Sequence, residues 1–337
     1  MKGFKSLKSK LALVLIAGTL SSLESKAQQE PLYSQYMFNT LAINPAYAGS
    51  RDVLSMTALG RFQWAGVPGA PTTYTYTIDM PVSQEKMGVG LQLYSDAIGE
   101  GVLRNSGAYG SYAYKVKVGA RTTMSLGVQA GATFVNQMFS KVTGVGNDDV
   151  FSSANDINRV LPNVGGGIYI SNDRGYIGFS VPQIIQHTFS AFKSGDGNTV
   201  VGRWQRHYYL MMGLVLGKGN VKLKPSTMIR YTPGSPLGVD GNLNLWLKDK
   251  IAFGISGRIS QFESSGKYLM DAAIGMIELQ LSPQLRLGYA YDFTMNRLND
   301  VNKSSASSRL ANIPTHEAML RYEFGYGKNK ILTPRYF

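Results

Sequence analysis

Thr73 to Met80 reads TYTYTIDM, and the two-residue rhythm of that stretch decides the fold. Successive side chains of an extended strand point to opposite faces. Tyr74, Tyr76, Ile78 and Met80 therefore share one face, and Thr73, Thr75, Thr77 and Asp79 the other. The same period returns from Thr123 to Phe134, where Met124, Leu126, Val128, Ala130, Ala132 and Phe134 oppose Ser125, Gly127, Gln129, Gly131 and Thr133. Near the end, Leu285, Leu287, Tyr289, Tyr291 and Phe293 oppose Arg286, Gly288, Ala290 and Asp292. Ala318, Leu320, Tyr322 and Phe324 then oppose Met319, Arg321 and Glu323. One apolar face for lipid and one polar face for a lumen is the pattern of membrane-spanning strands.

Extended over the chain, this reading predicts strands at 52–64, 73–81, 87–95, 102–116, 121–135, 163–171, 175–182, 203–216, 221–232, 237–248, 251–259, 268–278, 284–294 and 315–325. Every second connection is short, as at Ser83 to Lys86, Val118 to Ala120, Asn172 to Arg174, Gly217 to Asn220, Lys248 to Lys250 and Leu279 to Pro283. The others are mostly longer, among them Gln137 to Pro162, Gln183 to Gly202 and Thr294 to Pro314. A soluble sandwich has no reason to segregate its loops this way. The expected fold is all-β, a transmembrane antiparallel β-barrel of about fourteen strands over 52–325, with both termini periplasmic.

The N-terminus supports export. Lys2, Lys5, Lys8 and Lys10 precede an apolar run from Leu11 to Leu20, and Ser25 and Ala27 supply the small residues of a cleavage site. This predicts a signal peptide at 1–27 and a mature chain from Gln28. The apolar run is about half of the ~20 residues that a spanning helix needs, so it suits a leader better than an anchor. With no cysteine in 337 residues, the lipid-carrying residue of a lipoprotein is missing and disulfides are excluded. Removing the five lysines and Glu24 of the leader leaves 29 Lys+Arg against 20 Asp+Glu. No basic run is interleaved with aromatics as nucleic-acid binding requires, so anionic lipid headgroups or acidic cell-surface polymers are the expected counterparts. Charged residues make up 16% of the chain, with 38 Gly and 20 Tyr. That is low in charge for a soluble protein, where about 25% is usual.

Two segments fall outside the alternation, 28–51 before the first strand and 326–337 after the last. The first is expected to fold into the lumen, because a barrel of this size otherwise encloses an aqueous hole. Trp64, Trp204 and Tyr291 stand near strand ends as candidate interfacial anchors, whereas the parity of Trp246 turns it inward.

Candidate chemistry is sparse. His187, His207 and His316 lie far apart and in no metal-ligand spacing. Asn147, Asp148, Asp149 and Asp156 share a long loop, but their spacing matches no calcium-binding loop, and a solvated acidic loop is the simpler reading. Gly165 to Gly167 lacks the helix and Lys-Ser/Thr of a phosphate loop, which leaves a kink or a close strand approach. No cofactor or metal is expected. The inward set does include Arg61, Asp79, Arg286, Asp292, Arg321 and Glu323. Buried charges need partners, and their mixed signs fit a paired network bracing the wall and plug better than a channel selective for one ion sign.

Pro31 to Ser50 reads PLYSQYMFNTLAINPAYAGS. It resembles the opening signature of the PorP/SprF family of type IX secretion system membrane proteins, through Tyr33, Ser34, Gln35, Tyr36, Met37, Phe38 and Asn39, then Asn44, Pro45, Ala46, Tyr47, Ala48 and Gly49. Leu161 to Val181 is similar to the family's central strand pair, and Pro334, Arg335, Tyr336 and Phe337 to its common ending. The resemblance implies an outer-membrane barrel of a Gram-negative cell that supports secretion and surface attachment of particular cargo, often gliding adhesins whose C-terminal domains address them to this system. It implies other secretion components as partners and no catalytic residues. The motif residues either seat the plug or, together with Pro334 to Phe337, present a surface to periplasmic components. The competing expectation is a channel for small or hydrophobic solutes.

Overall fold

The computed structural model describes residues 32–83, 86–141, 156–193, 199–261, 268–295 and 313–324. The strands are β1 (Leu54–Phe62), β2 (Thr72–Val82), β3 (Met87–Ile98), β4 (Leu103–Lys117), β5 (Thr123–Gln137), β6 (Ile157–Ser171), β7 (Gly175–Val181), β8 (Thr188–Lys193) and β9 (Thr199–Arg203). They continue with β10 (Tyr208–Leu214), β11 (Val221–Tyr231), β12 (Gly238–Leu247), β13 (Ile251–Gln261), β14 (Tyr268–Gln280), β15 (Leu285–Thr294) and β16 (Pro314–Phe324). Fourteen of them form a closed antiparallel barrel, in which β7 pairs with β10 and β1 closes on β16, while β8 and β9 make a separate hairpin. Closure gives each of the fourteen barrel strands a partner on both sides, as a wall in lipid requires.

The faces follow the alternation. In β2, Thr73, Thr75, Thr77 and Asp79 are buried while Tyr74 is 55% exposed. In β5, Ser125, Gln129 and Thr133 are buried while Val128 is 60% exposed. The register places Thr57 of β1 between Thr77 of β2 and Arg321 of β16, so polar residues meet polar residues across the seam.

Three departures from the sequence reading exceed three residues. β6 begins at Ile157 rather than 163; Pro162, which cannot donate to a ladder, interrupts the apparent strand but pairs opposite Ala132. The segment 183–202, expected to be loop, carries the β8–β9 hairpin. Accordingly the following barrel strand starts at Tyr208, not 203.

Inside the barrel, residues 33–51 form a plug of three short 3-10 turns, Tyr36–Phe38, Thr40–Ala42 and Pro45–Tyr47. Asn44 starts the third turn by accepting the Ala46 amide on its side chain at 3.0 Å, with Pro45 at the first position. Proline is preorganised there and has no amide to orphan. The plug's Tyr36, Met37, Phe38, Leu41, Ile43 and Tyr47 pack with inward wall residues including Leu59, Met211, Met228, Ile274, Met276 and Met319. The lumen thus holds an apolar core, with flexible methionines filling its irregular gaps.

Candidate functional site

The site is the seat of the plug. Glu317 of β16 is fully buried and accepts the Ser34 and Gln35 amides at 2.9 and 2.7 Å. Arg61 of β1 bridges Glu317 and Asp292, at 3.0 Å each, and donates to the Ser34 hydroxyl at 2.8 Å. That hydroxyl in turn donates to Asp292 at 2.7 Å. Arg258 joins Asp292 at 3.6 Å and Asp240 at 2.8 Å, and Arg230 completes the chain on Asp240. Desolvating charge is costly unless geometry and extra hydrogen bonds compensate. Here plug amides supply part of that compensation, so wall and plug depend on one another.

A second cluster lies toward the end where the connections are short. Arg51 pairs with Glu323 at 2.7 Å, Asp79 accepts the Gly49 amide at 2.8 Å, and Lys115 reaches Asp52 at 3.5 Å. Arg286 binds Glu278 at 2.8 Å and, with Lys224, flanks the buried Trp246 ring. Arg321 donates to Thr57 at 3.2 Å. Arg61, Asp79, Arg286, Asp292, Arg321 and Glu323 therefore all face the lumen but divide into two groups. Sequence reading missed Glu317, Asp240, Arg258 and Arg230. Glu317 shares the parity of Arg321 and Glu323, and Asp240 that of Asn242 and Asn244, so the signal was present.

The matching residues of the opening motif, Tyr33 to Asn39 and Asn44 to Gly49, are all buried. Tyr33 hydrogen-bonds Thr75 at 2.8 Å, Asn39 accepts from Thr77 at 2.9 Å, and Tyr47 meets Tyr169 edge-on at 5.4 Å. Asn44 donates to the Ile168 carbonyl at 3.0 Å, and Ser180 to that of Ile43 at 2.9 Å. Tyr36 and Phe38 enter the apolar core, where burial pushes the Tyr36 phenol well above its ordinary pKa. Pro334, Arg335, Tyr336 and Phe337 lie outside the described residues, as do Asn147, Asp148 and Asp149.

Inward glycines mark the plug's path. A Cβ on Gly88 would sit 2.0 Å from the Ala48 carbonyl oxygen, on Gly127 2.2 Å from the Ala46 nitrogen, and on Gly167 2.2 Å from the Asn44 side-chain oxygen. Gly165 likewise admits Pro182. The closest approaches at Gly165 and Gly167 are therefore of a loop and of the plug and not of another strand. Of the candidate anchors, Trp204 is buried against Val135 and Leu161, two inward residues, and so does not stand at an interface.

A family model described as type IX secretion system membrane protein PorP/SprF matches residues 25–322. The chain belongs to this family. As a PorP/SprF protein it is an outer-membrane barrel of the type IX secretion system, and it works with other components of that system. No curated protein matches it in sequence. Among solved structures, the CymD monoaromatic hydrocarbon channel is similar at TM-score 0.48 and 10% identity, over 90% of this chain and 96% of that one. A Pseudomonas aeruginosa FadL homologue is similar at TM-score 0.44 and 11% identity, over 81% and 89%. The KdgM porin is similar at TM-score 0.37 and 8% identity, over 80% and 99%.

Proposed function

We propose that this PorP/SprF barrel docks dedicated secretion cargo, or tethers it at the cell surface, by binding and not by catalysis. The observation that carries the reading is the burial of residues 33–41 and 43–48 within the lumen. A barrel filled by its own chain offers partners its rims and outer wall rather than a passage. In this reading the short connections face the periplasm and the long ones the cell surface, by the usual asymmetry of such barrels. Cargo is of the kind carrying C-terminal signal domains, such as gliding adhesins. Because the opening motif is occupied inside, contact with periplasmic components falls to the tail with Pro334 to Phe337.

Deleting the gene should abolish surface display of a dedicated adhesin while leaving general outer-membrane permeability intact. Unchanged display overturns the proposal. Purified protein in planar bilayers should be silent; steady conductance that is lost on changing Arg61 or Arg286 would instead establish a solute channel.

A further inference from the structure

The short connections place cations around one rim of the barrel. Lys86 stands between β2 and β3, Lys117 and Arg121 flank the β4–β5 turn, and Arg174 lies between β6 and β7. Lys218 lies between β10 and β11, and Lys248 and Lys250 between β12 and β13. All seven are exposed. Five of the six short hairpins carry them, all but the β14–β15 turn at 281–284, and because these five follow one another around a closed ring the cations form a collar and not a patch. Among the described residues the one ion pair they make is Arg121 with Asp173, at 3.9 Å and with both side chains mostly exposed. Asp249 in the same rim is held by Lys222 at 2.6 Å, and Glu85 lies outside the described residues. At the opposite rim the exposed described charges are mixed, Glu100 and Asp156 with Arg104 and Arg159.

A second feature says what the collar meets. Its cations adjoin exposed apolar side chains: Val118 is 54% exposed beside Lys117, Leu216 and Val221 are 50% and 54% exposed on either side of Lys218, and Ile251 follows Lys250. An acidic protein surface would satisfy the cations and leave these apolar groups in water. A phospholipid satisfies both, with its acyl chain against the apolar residue and its phosphate at the cation.

The geometry points to a site for anionic phospholipid headgroups distributed around the short-turn rim, each headgroup held by one or two collar cations. Such a site needs neither a particular cargo nor a particular side of the membrane for this rim. Each cation near an anionic membrane surface contributes about fivefold in affinity, equivalent to about 1 kcal/mol.

The test is boundary-lipid selectivity of the full-length barrel in phosphatidylcholine vesicles, read with spin-labelled phosphatidylglycerol against spin-labelled phosphatidylcholine. Wild type should enrich phosphatidylglycerol on the order of fivefold. The preference should collapse near molar salt, where the screening length falls to about 3 Å. It should also collapse in the combined variant Lys86→Gln, Lys117→Gln, Lys218→Gln, Lys248→Gln, Lys250→Gln. If that variant fails to fold, the smaller Lys248→Gln, Lys250→Gln change should lower the preference partially. Arg104→Gln with Arg159→Gln, at the other rim, should leave it intact. Equal retention of both lipids by wild type, or the same loss from either rim, would overturn the assignment. So would a collar that captures an acidic protein in detergent while showing no lipid preference.

Discussion

Adding one methyl group at Gly127 should unseat the plug. A Cβ there would lie 2.2 Å from the Ala46 nitrogen, 2.3 Å from its Cα and 2.5 Å from the Pro45 carbonyl carbon. All three are backbone atoms, so no rotamer change relieves the clash. Favourable heavy-atom contact begins near 3.5 Å, and the turn must therefore retreat by roughly 1 Å. That retreat pulls on Asn44, which is tied to the Ile168 carbonyl at 3.0 Å and to Ala46 at 3.0 Å, and on the Tyr47–Tyr169 contact. Overpacking costs about 1–3 kcal/mol, and a lost hydrogen bond adds about 1 kcal/mol. Together these predict that Gly127→Ala weakens plug seating by about 2–4 kcal/mol. Hydrogen exchange of the protein in micelles reads this directly. Peptides from 33–50 should exchange on the order of a hundredfold faster, while β12 to β14 keep their protection. Gly275→Ala is the matched control, because a Cβ there meets nothing within 4 Å. Equal plug protection in Gly127→Ala and Gly275→Ala would refute the seating described above.

Other perturbations separate the ties that hold the plug. Arg61→Met leaves buried Glu317 and Asp292 without the cation between them, and should lower stability by about 3–5 kcal/mol in thermal unfolding monitored by gel mobility. Asn44→Ala removes the acceptor of the Ala46 amide; it should cost about 1 kcal/mol and speed exchange locally at that turn. Trp204→Ala opens the contact with Val135 and Leu161, worth about 3–5 kcal/mol where the indole is fully packed. It should expose the 182–207 segment to protease without shifting the melting of the barrel itself.

The barrel was legible because its physical signal is repeated in every strand. Side-chain parity is fixed by backbone geometry, so Thr73 to Met80 revealed its two faces without any tertiary information. Residues that obey parity but sit in less regular runs were harder to see. Glu317 follows Pro314 and Thr315, where the alternation had only just resumed, and Arg258 stands beside a register shift at Arg258/Ile259. The hairpin at β8 and β9 was hidden for a different reason. Its strands span six and five residues, too short for a period of two to stand out from a polar loop. Trp204 misled because proximity to a strand end says nothing of which way a loop folds, and here it folds inward.

The path of the plug is the part that no periodicity encodes, and it is where glycine becomes informative. Gly88, Gly127 and Gly167 occupy inward positions whose neighbours along the strand, such as Ser125, Gln129 and Tyr169, carry full side chains. On an open aqueous lumen there would be no physical reason to omit a side chain at those points. The missing volume is filled by Ala48, Ala46 and Asn44 respectively. Gly241 and Gly275, on the outer face of the wall, have no neighbour within 4 Å, so their lack of a side chain does not answer to the chain's own packing. At Gly88, Gly127 and Gly167 the inward glycine reports contact with the plug, whereas Gly107 and Gly213 make room for the wall tyrosines Tyr94 and Tyr176. The first three trace the plug from the β3 wall, across β5, to the β6–β7 hairpin, in the same order as the chain runs backward from Ala48 to Asn44.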